Sequence, residues 1–120
     1  MQKFMLIIRE DLNRLKKQNE EGRHQGIRTM MHWVESLGVS GNYQGGDALL
    51  IQGKYVSRNE VLSDGPFVEA KEGISGYMIL HAENIEQAAA IAQTCPLVQQ
   101  DLMVIEVRPV LTVNHTLLHG

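Results

Sequence analysis

At 120 residues the chain has the length of one domain, enough to bury a core and too little to divide convincingly into two. A composition 43% hydrophobic and 21% charged is that of an ordinary folded domain and excludes a disordered chain. A formal net charge of −3 with no clustered basic face excludes nucleic acid as a partner.

The opening MQKFMLIIREDLNRLKK holds only a short apolar run, Phe4 to Ile8, before charge returns. That is too short for a signal sequence or a membrane span, so no membrane association is expected and the mature protein is expected to begin near Met1. Residues 3–9, KFMLIIR, predict a strand buried on both faces. From Asp11 to Leu37 the period becomes helical, with Ile27, Met30, Met31, Val34 and Leu37 forming one apolar stripe. Gly22 and Gly26 weaken the first half and predict a break or irregular turn there. Glycines at 38, 41, 45 and 46 predict the helix end and a loop, after which Ala48–Gln52 and Lys54–Leu62 predict a hairpin around Gly53.

Ser75–His81 predicts a further strand, central because it is nearly continuously apolar. Asn84 stands where an N-cap belongs, ahead of a short helix with Ile85, Ala88, Ala89, Ala92 and Cys95 on one side and Pro96 at its close. Leu102–Val107 predicts the last strand, ended by Pro109. The order is strand, helix, hairpin, strand, helix, strand: an α+β sandwich with a largely antiparallel sheet and two helices on one face. The other sheet face then needs cover, and a second copy in a two-fold homodimer is the commonest cover. The lone cysteine, Cys95, allows no internal disulfide and suits a small buried hydrophobe in a reducing cytoplasm.

Several ordered motifs carry a family signature: VLSDGPFVEAKEGISGYMIL, then AENIEQAAAIAQTCP and IEVRPV, preceded by HWVESLGVSGNYQGGDALL and KFMLII. The chain resembles the YCII-related family, in the branch named for the DGPF motif. The resemblance implies a ferredoxin-like fold pairing into a dimeric α+β barrel, with residues 1–111 as the YCII-related (DGPF) domain and 112–120 as a C-terminal tail. It also implies a small-molecule enzyme. Members outside the branch resemble muconolactone-type isomerases and dehalogenating enzymes, whose catalytic pair is a histidine on the first helix with an aspartate. The corresponding helix position here holds Met30, with His24 and His32 to either side. Branch members are often encoded beside extracytoplasmic-function sigma factors, which implies an accessory or regulatory role as the alternative.

Asp64-Gly65-Pro66-Phe67 reads two ways. Asp, Gly and Pro each form turns, for separate reasons. Asp64 is also a carboxylate beside an open backbone, able to exchange a proton with a ligand in a cavity, with Phe67 as an apolar contact. His24, Arg28 and His32 recur every four residues and form one polar stripe on a helix, either a solvated surface or the mouth of a pocket. Trp33 and Tyr77 are either core or cavity wall. The two histidines lack a third ligand at a diagnostic spacing, so no metal is expected, and no cofactor. Gly45-Gly46-Asp47 lacks the Lys-Ser/Thr of a phosphate loop. The resulting expectation is cofactor-free proton transfer, an isomerisation or elimination, on a small organic acid. Asp64 is then the acid or base, His24 or His32 the second proton carrier, and Arg28 the carboxylate anchor. A ligand-binding or regulatory module without catalysis is the competing expectation.

Overall fold

The computed structural model describes residues 1–50, 52–63 and 72–111. The N-terminal apolar run forms β1 (Gln2–Asp11), paired antiparallel on one side with β5 (Glu72–Ala82) and on the other with β6 (Val104–Pro109). β2 (Tyr43–Ala48) pairs with the outer side of β5, so the four-stranded sheet runs β2-β5-β1-β6. Strand alternation divides β1 between two faces. Phe4, Leu6 and Ile8 are buried together with Met78, Leu80 and Ala82 of β5, while Met5, Ile7 and Arg9 lie half-buried on the opposite side. A register shift falls between Ile8, opposite Gly76, and Arg9, opposite Ile74.

The first face is covered by α2 (Glu20–Ser40) and α3 (Ile85–Gln93), giving the two-helix α+β arrangement expected. Two shorter helices flank them, α1 (Leu12–Lys17) and α4 (Pro96–Gln99). Each long helix begins at a side-chain cap: Asn19 accepts from the Gly22 N–H at 2.7 Å and Asn84 from the Gln87 N–H at 2.8 Å. The Gln87 amide reaches back to the Glu83 N–H at 2.6 Å, satisfying a further donor at that end. α2 ends at Gly41, whose φ of 84° is left-handed, with the Asn42 N–H bonded to the Leu37 carbonyl at 3.1 Å.

Three local expectations are corrected. α2 runs unbroken through Gly22 and Gly26; the break lies earlier, at Gln18–Asn19, where a cap is available. The glycines at 45 and 46 lie in β2 and not in a loop, since Tyr43, Gly45, Gly46, Asp47 and Ala48 each find a partner on β5. The hairpin is also displaced. Its strands are β3 (Lys54–Val56) and β4 (Val61–Ser63), closed by a bond from the Ser57 N–H to the Glu60 carbonyl at 2.9 Å. Gly53 precedes it and is not its turn. Pro96 opens α4, where its missing N–H is no loss, and Pro109 closes β6.

On α2 the buried side is Trp33 and Leu37, supported by Met30 and Val34, whereas Ile27 and Met31 are about half exposed. Trp33 donates its indole N–H to the Thr94 hydroxyl at 2.9 Å, joining α2 to the end of α3. Among the described residues no helix is long and apolar enough to cross a membrane.

Glycines separate by what a side chain would meet. A Cβ at Gly46 would stand 2.4 Å from the Tyr77 carbonyl oxygen and 2.9 Å from the Met78 Cα; at Gly26 nothing lies within 4 Å. Urea denaturation should therefore find Gly46→Ala destabilised by about 1–3 kcal/mol, as for other overpacked sites. Gly26→Ala, in a helix interior, should gain roughly 0.5–1 kcal/mol.

Candidate functional site

Among the described residues, the helices leave one sheet face uncovered, and its polar side chains come from four strands. Asp47 on β2 stands opposite Tyr77 on β5, Tyr77 opposite Ile7 on β1, and Ile7 opposite Glu106 on β6. At one end of this row the Tyr77 hydroxyl donates to Asp47 Oδ2 at 2.7 Å. At the other end Glu106 accepts from Arg9 Nε at 3.3 Å and from Arg108 Nε at 2.6 Å. With strands about 4.8 Å apart, Tyr77 and Glu106 lie roughly 10 Å from one another across Ile7. Met5 and Ile79, mutual partners in the next row, extend the apolar floor.

The electrostatics of the two ends differ. The hydrogen bond to Asp47 and that carboxylate's negative charge raise the Tyr77 phenol above its ordinary 10.0, so it remains a proton donor throughout the neutral range. Bonding to Arg108 first, and also to Arg9, holds Glu106 below its ordinary 4.5 against a smaller opposing effect of burial. Arg108 keeps most of its side chain in solvent while donating to Glu106 through Nε. At the start of β1, an open depression of about 640 Å³ is lined by Lys3, His81, Pro109 and the first and last described residues.

The residues singled out in the sequence are scattered by comparison. His24, Arg28 and His32 share one side of α2, but at 3.6 residues per turn it is the side turned away from Trp33 and Leu37, and all three are exposed. His24 lies 3.9 Å from Glu20, and Arg28 lies 3.5 Å from Glu21. Trp33 is buried with its single donor satisfied by Thr94. Tyr77 does line the open face. Asp64 and Phe67 lie outside the described residues, as does the 112–120 tail. Among the described residues no group of three or more His, Cys, Asp or Glu side chains gathers to hold a metal ion.

The sequence reading missed Asp47, Arg9, Glu106 and Arg108. A signal existed for two of them: Glu106 and Arg108 are two apart in a strand and therefore share a face. Asp47 was masked by its glycines, which read as a loop. Cys95 is fully buried, and burial pushes its thiol above its ordinary 9.0 despite the opposing N–H groups of Val98 and Leu97.

The YCII-related domain matches residues 3–114, nearly the whole chain. The chain belongs to the YCII-related family. Among solved structures, the YCII-related chain is similar to the 5-chloro-2-hydroxyhydroquinone dehydrochlorinase of Burkholderia phenoliruptrix, seen in complex with 2,5-dihydroxybenzoquinone. Identity is 17%, the TM-score is 0.56, and the match covers 93% of this chain and 97% of that one. At that identity the likeness establishes a shared fold, the ferredoxin-like arrangement expected from the sequence. No curated protein matches the YCII-related chain by sequence.

The two carboxylate environments give a pH signature. Because Glu106 is depressed when folded, its pairing stabilises the fold above the ordinary carboxylate pKa, and that contribution is lost as pH falls through the lowered value. Carboxyl-carbon NMR should show Glu106 titrating below 4.5 and returning toward it in Arg108→Gln. By the same technique applied to the tyrosine rings, Tyr77 should titrate above 10.0 and move down in Asp47→Asn.

Proposed function

We propose that this YCII-related protein is a small-molecule enzyme that moves a proton without a cofactor, in an elimination or isomerisation of a small organic acid bound on the open sheet face. The observation that carries this reading is the hydrogen-bonded Tyr77–Asp47 pair facing the Arg9–Glu106–Arg108 group across an apolar floor. A substrate proton passes to the phenol oxygen as the phenol's own proton passes to Asp47, so no phenolate accumulates, in keeping with the raised Tyr77 pKa. Arg108 holds the acid's carboxylate, and a separation of roughly 10 Å across the sheet accommodates one small ring. The dehydrochlorinase named above acts on a hydroxylated, chlorinated ring. Chlorinated and hydroxylated aromatic acids are therefore the first substrates to try.

A second copy covering this face completes the reading, since a half-apolar sheet face is otherwise left to water. The protein is then a homodimer working in a reducing cytoplasm. A second arrangement, favoured by the common exposed face of His24, Arg28 and His32, keeps Asp64 as acid or base with His24 or His32 as its partner. There Arg28 anchors the carboxylate, and Phe67 supplies apolar contact. The DGPF branch leaves a third role open, a ligand-binding accessory module tied to sigma-factor regulation.

Chloride release and deuterium exchange, measured over a panel of such acids, test these readings. Tyr77→Phe should lower kcat by about 10²–10⁴-fold with the fold intact. Full turnover in Tyr77→Phe together with loss in Asp64→Asn transfers the chemistry to the second arrangement, and saturable binding without turnover supports the accessory role. Light scattering should return twice the 13.5 kDa chain mass; a monomer at micromolar concentration overturns the dimer.

A further inference from the structure

Tyr43 and Asp47 lie four apart on β2, and in a regular strand residues four apart share a face. Here they do not. Tyr43 stands opposite Leu80 and packs against the core, whereas Asp47 stands opposite Tyr77 on the open face. The register accounts for the change. From Tyr43 to Gly45 β2 advances two residues while β5 passes only from Leu80 to Ile79, so Gln44 is an extra residue left out of the ladder. Such a β-bulge reverses the facing of every residue beyond it.

We propose that Gly45 is a positioning residue: the bulge it allows at Gln44 turns Asp47 onto the open face to meet Tyr77, a role in turnover that rests on the proton-transfer reading of that pair. Gly45 has a φ of 152°, which residues with a side chain rarely adopt, and a Cβ there would meet nothing within 4 Å. Space is therefore not what asks for glycine at 45; the backbone of the bulge is. Without the bulge, Asp47 would fall opposite Gly76 on the helix-covered face and the Tyr77 hydroxyl would lose its acceptor. A second interruption falls beside the same tyrosine. β5 passes from Gly76 to Ile74 while β1 passes from Ile8 to Arg9, so Ser75 is bulged as well. Bulges concentrate next to active sites, where they re-aim side chains, and along β5 these two bracket Tyr77.

NMR titration of the tyrosine rings tests the placement without any substrate, since the bond to Asp47 is the leading cause of the raised Tyr77 pKa. Gly45→Ala should bring the Tyr77 titration down toward 10.0, to the value found in Asp47→Asn. Deleting Gln44 from the Gly45→Ala chain removes the extra residue, so that each remaining β2 residue can keep its β5 partner in a regular strand. That variant should titrate as high as wild type, and it decides the matter even where Gly45→Ala alone fails to fold. Over the panel of acids, kcat of folded Gly45→Ala should fall by about a hundredfold or more with KM little changed, because Arg108 lies on β6. A lowered titration with undiminished turnover supports the positioning and counts against the proton-transfer reading alone. The proposal is overturned if Gly45→Ala titrates as wild type, or if the deletion variant fails to fold or titrates as Asp47→Asn.

Discussion

Everything in this fold depends on the antiparallel pairing of β1 with β5. Ten residues of β1 find partners on β5, and that register decides which side chains face the helices. Phe4 opposite Leu80 and Leu6 opposite Met78 place four large apolar groups under α2 and α3; Ile7 opposite Tyr77 places the next pair on the uncovered side. A slip of one residue would exchange the two sets, putting Lys3 and Arg9 into the core. Because both faces of β1 carry aliphatic groups, hydrophobicity alone does not choose between the two registers. The polar residues choose: each of Lys3, Arg9, Glu106 and Arg108 falls on the side that leaves its charge in water.

The open face inherits its chemistry from the same register. Asp47 reaches Tyr77 only because β2 tolerates close approach at Gly46, where the Tyr77 carbonyl and the Met78 Cα occupy the space of a side chain. The glycine and the aspartate beside it are thus one device: the first lets the strands meet and the second uses the meeting. The arginine pair at the other end is held by a single carboxylate, which positions two guanidinium groups at the cost of one negative charge.

Much of this was legible in the residues. The apolar run of β1, the Asn84 cap and the 30, 34, 37 spacing on α2 are local signals, and each formed the element it announces. What failed was local evidence overruled by distant partners. Gly45 and Gly46 disfavour a strand taken alone, but β5 supplies the hydrogen bonds that make them one. Gly22 disfavours a helix, yet it occupies the first turn, against the Asn19 cap. The candidate site followed the same rule. Tyr77 was found because an aromatic in a central strand is conspicuous, while Asp47, thirty positions away, has no sequence mark of its partnership. His24, Arg28 and His32 were grouped correctly on one helix side; only the packing of Trp33 and Leu37 reveals that it is the outward one.

The bond from Trp33 to Thr94 has a practical consequence. The chain's single tryptophan sits in the seam between α2 and the end of α3, so its emission follows the separation of the helix layer from the sheet. The β3–β4 ribbon is another matter: two three-residue strands, exposed throughout and paired with each other in a sheet separate from the main one, form a unit that is marginal without support. A melting curve recorded by fluorescence can therefore be a single sharp transition while the ribbon has already opened at lower temperature. Amide exchange at Tyr55 and Leu62, not the colour of one indole, measures the cooperativity of the whole chain.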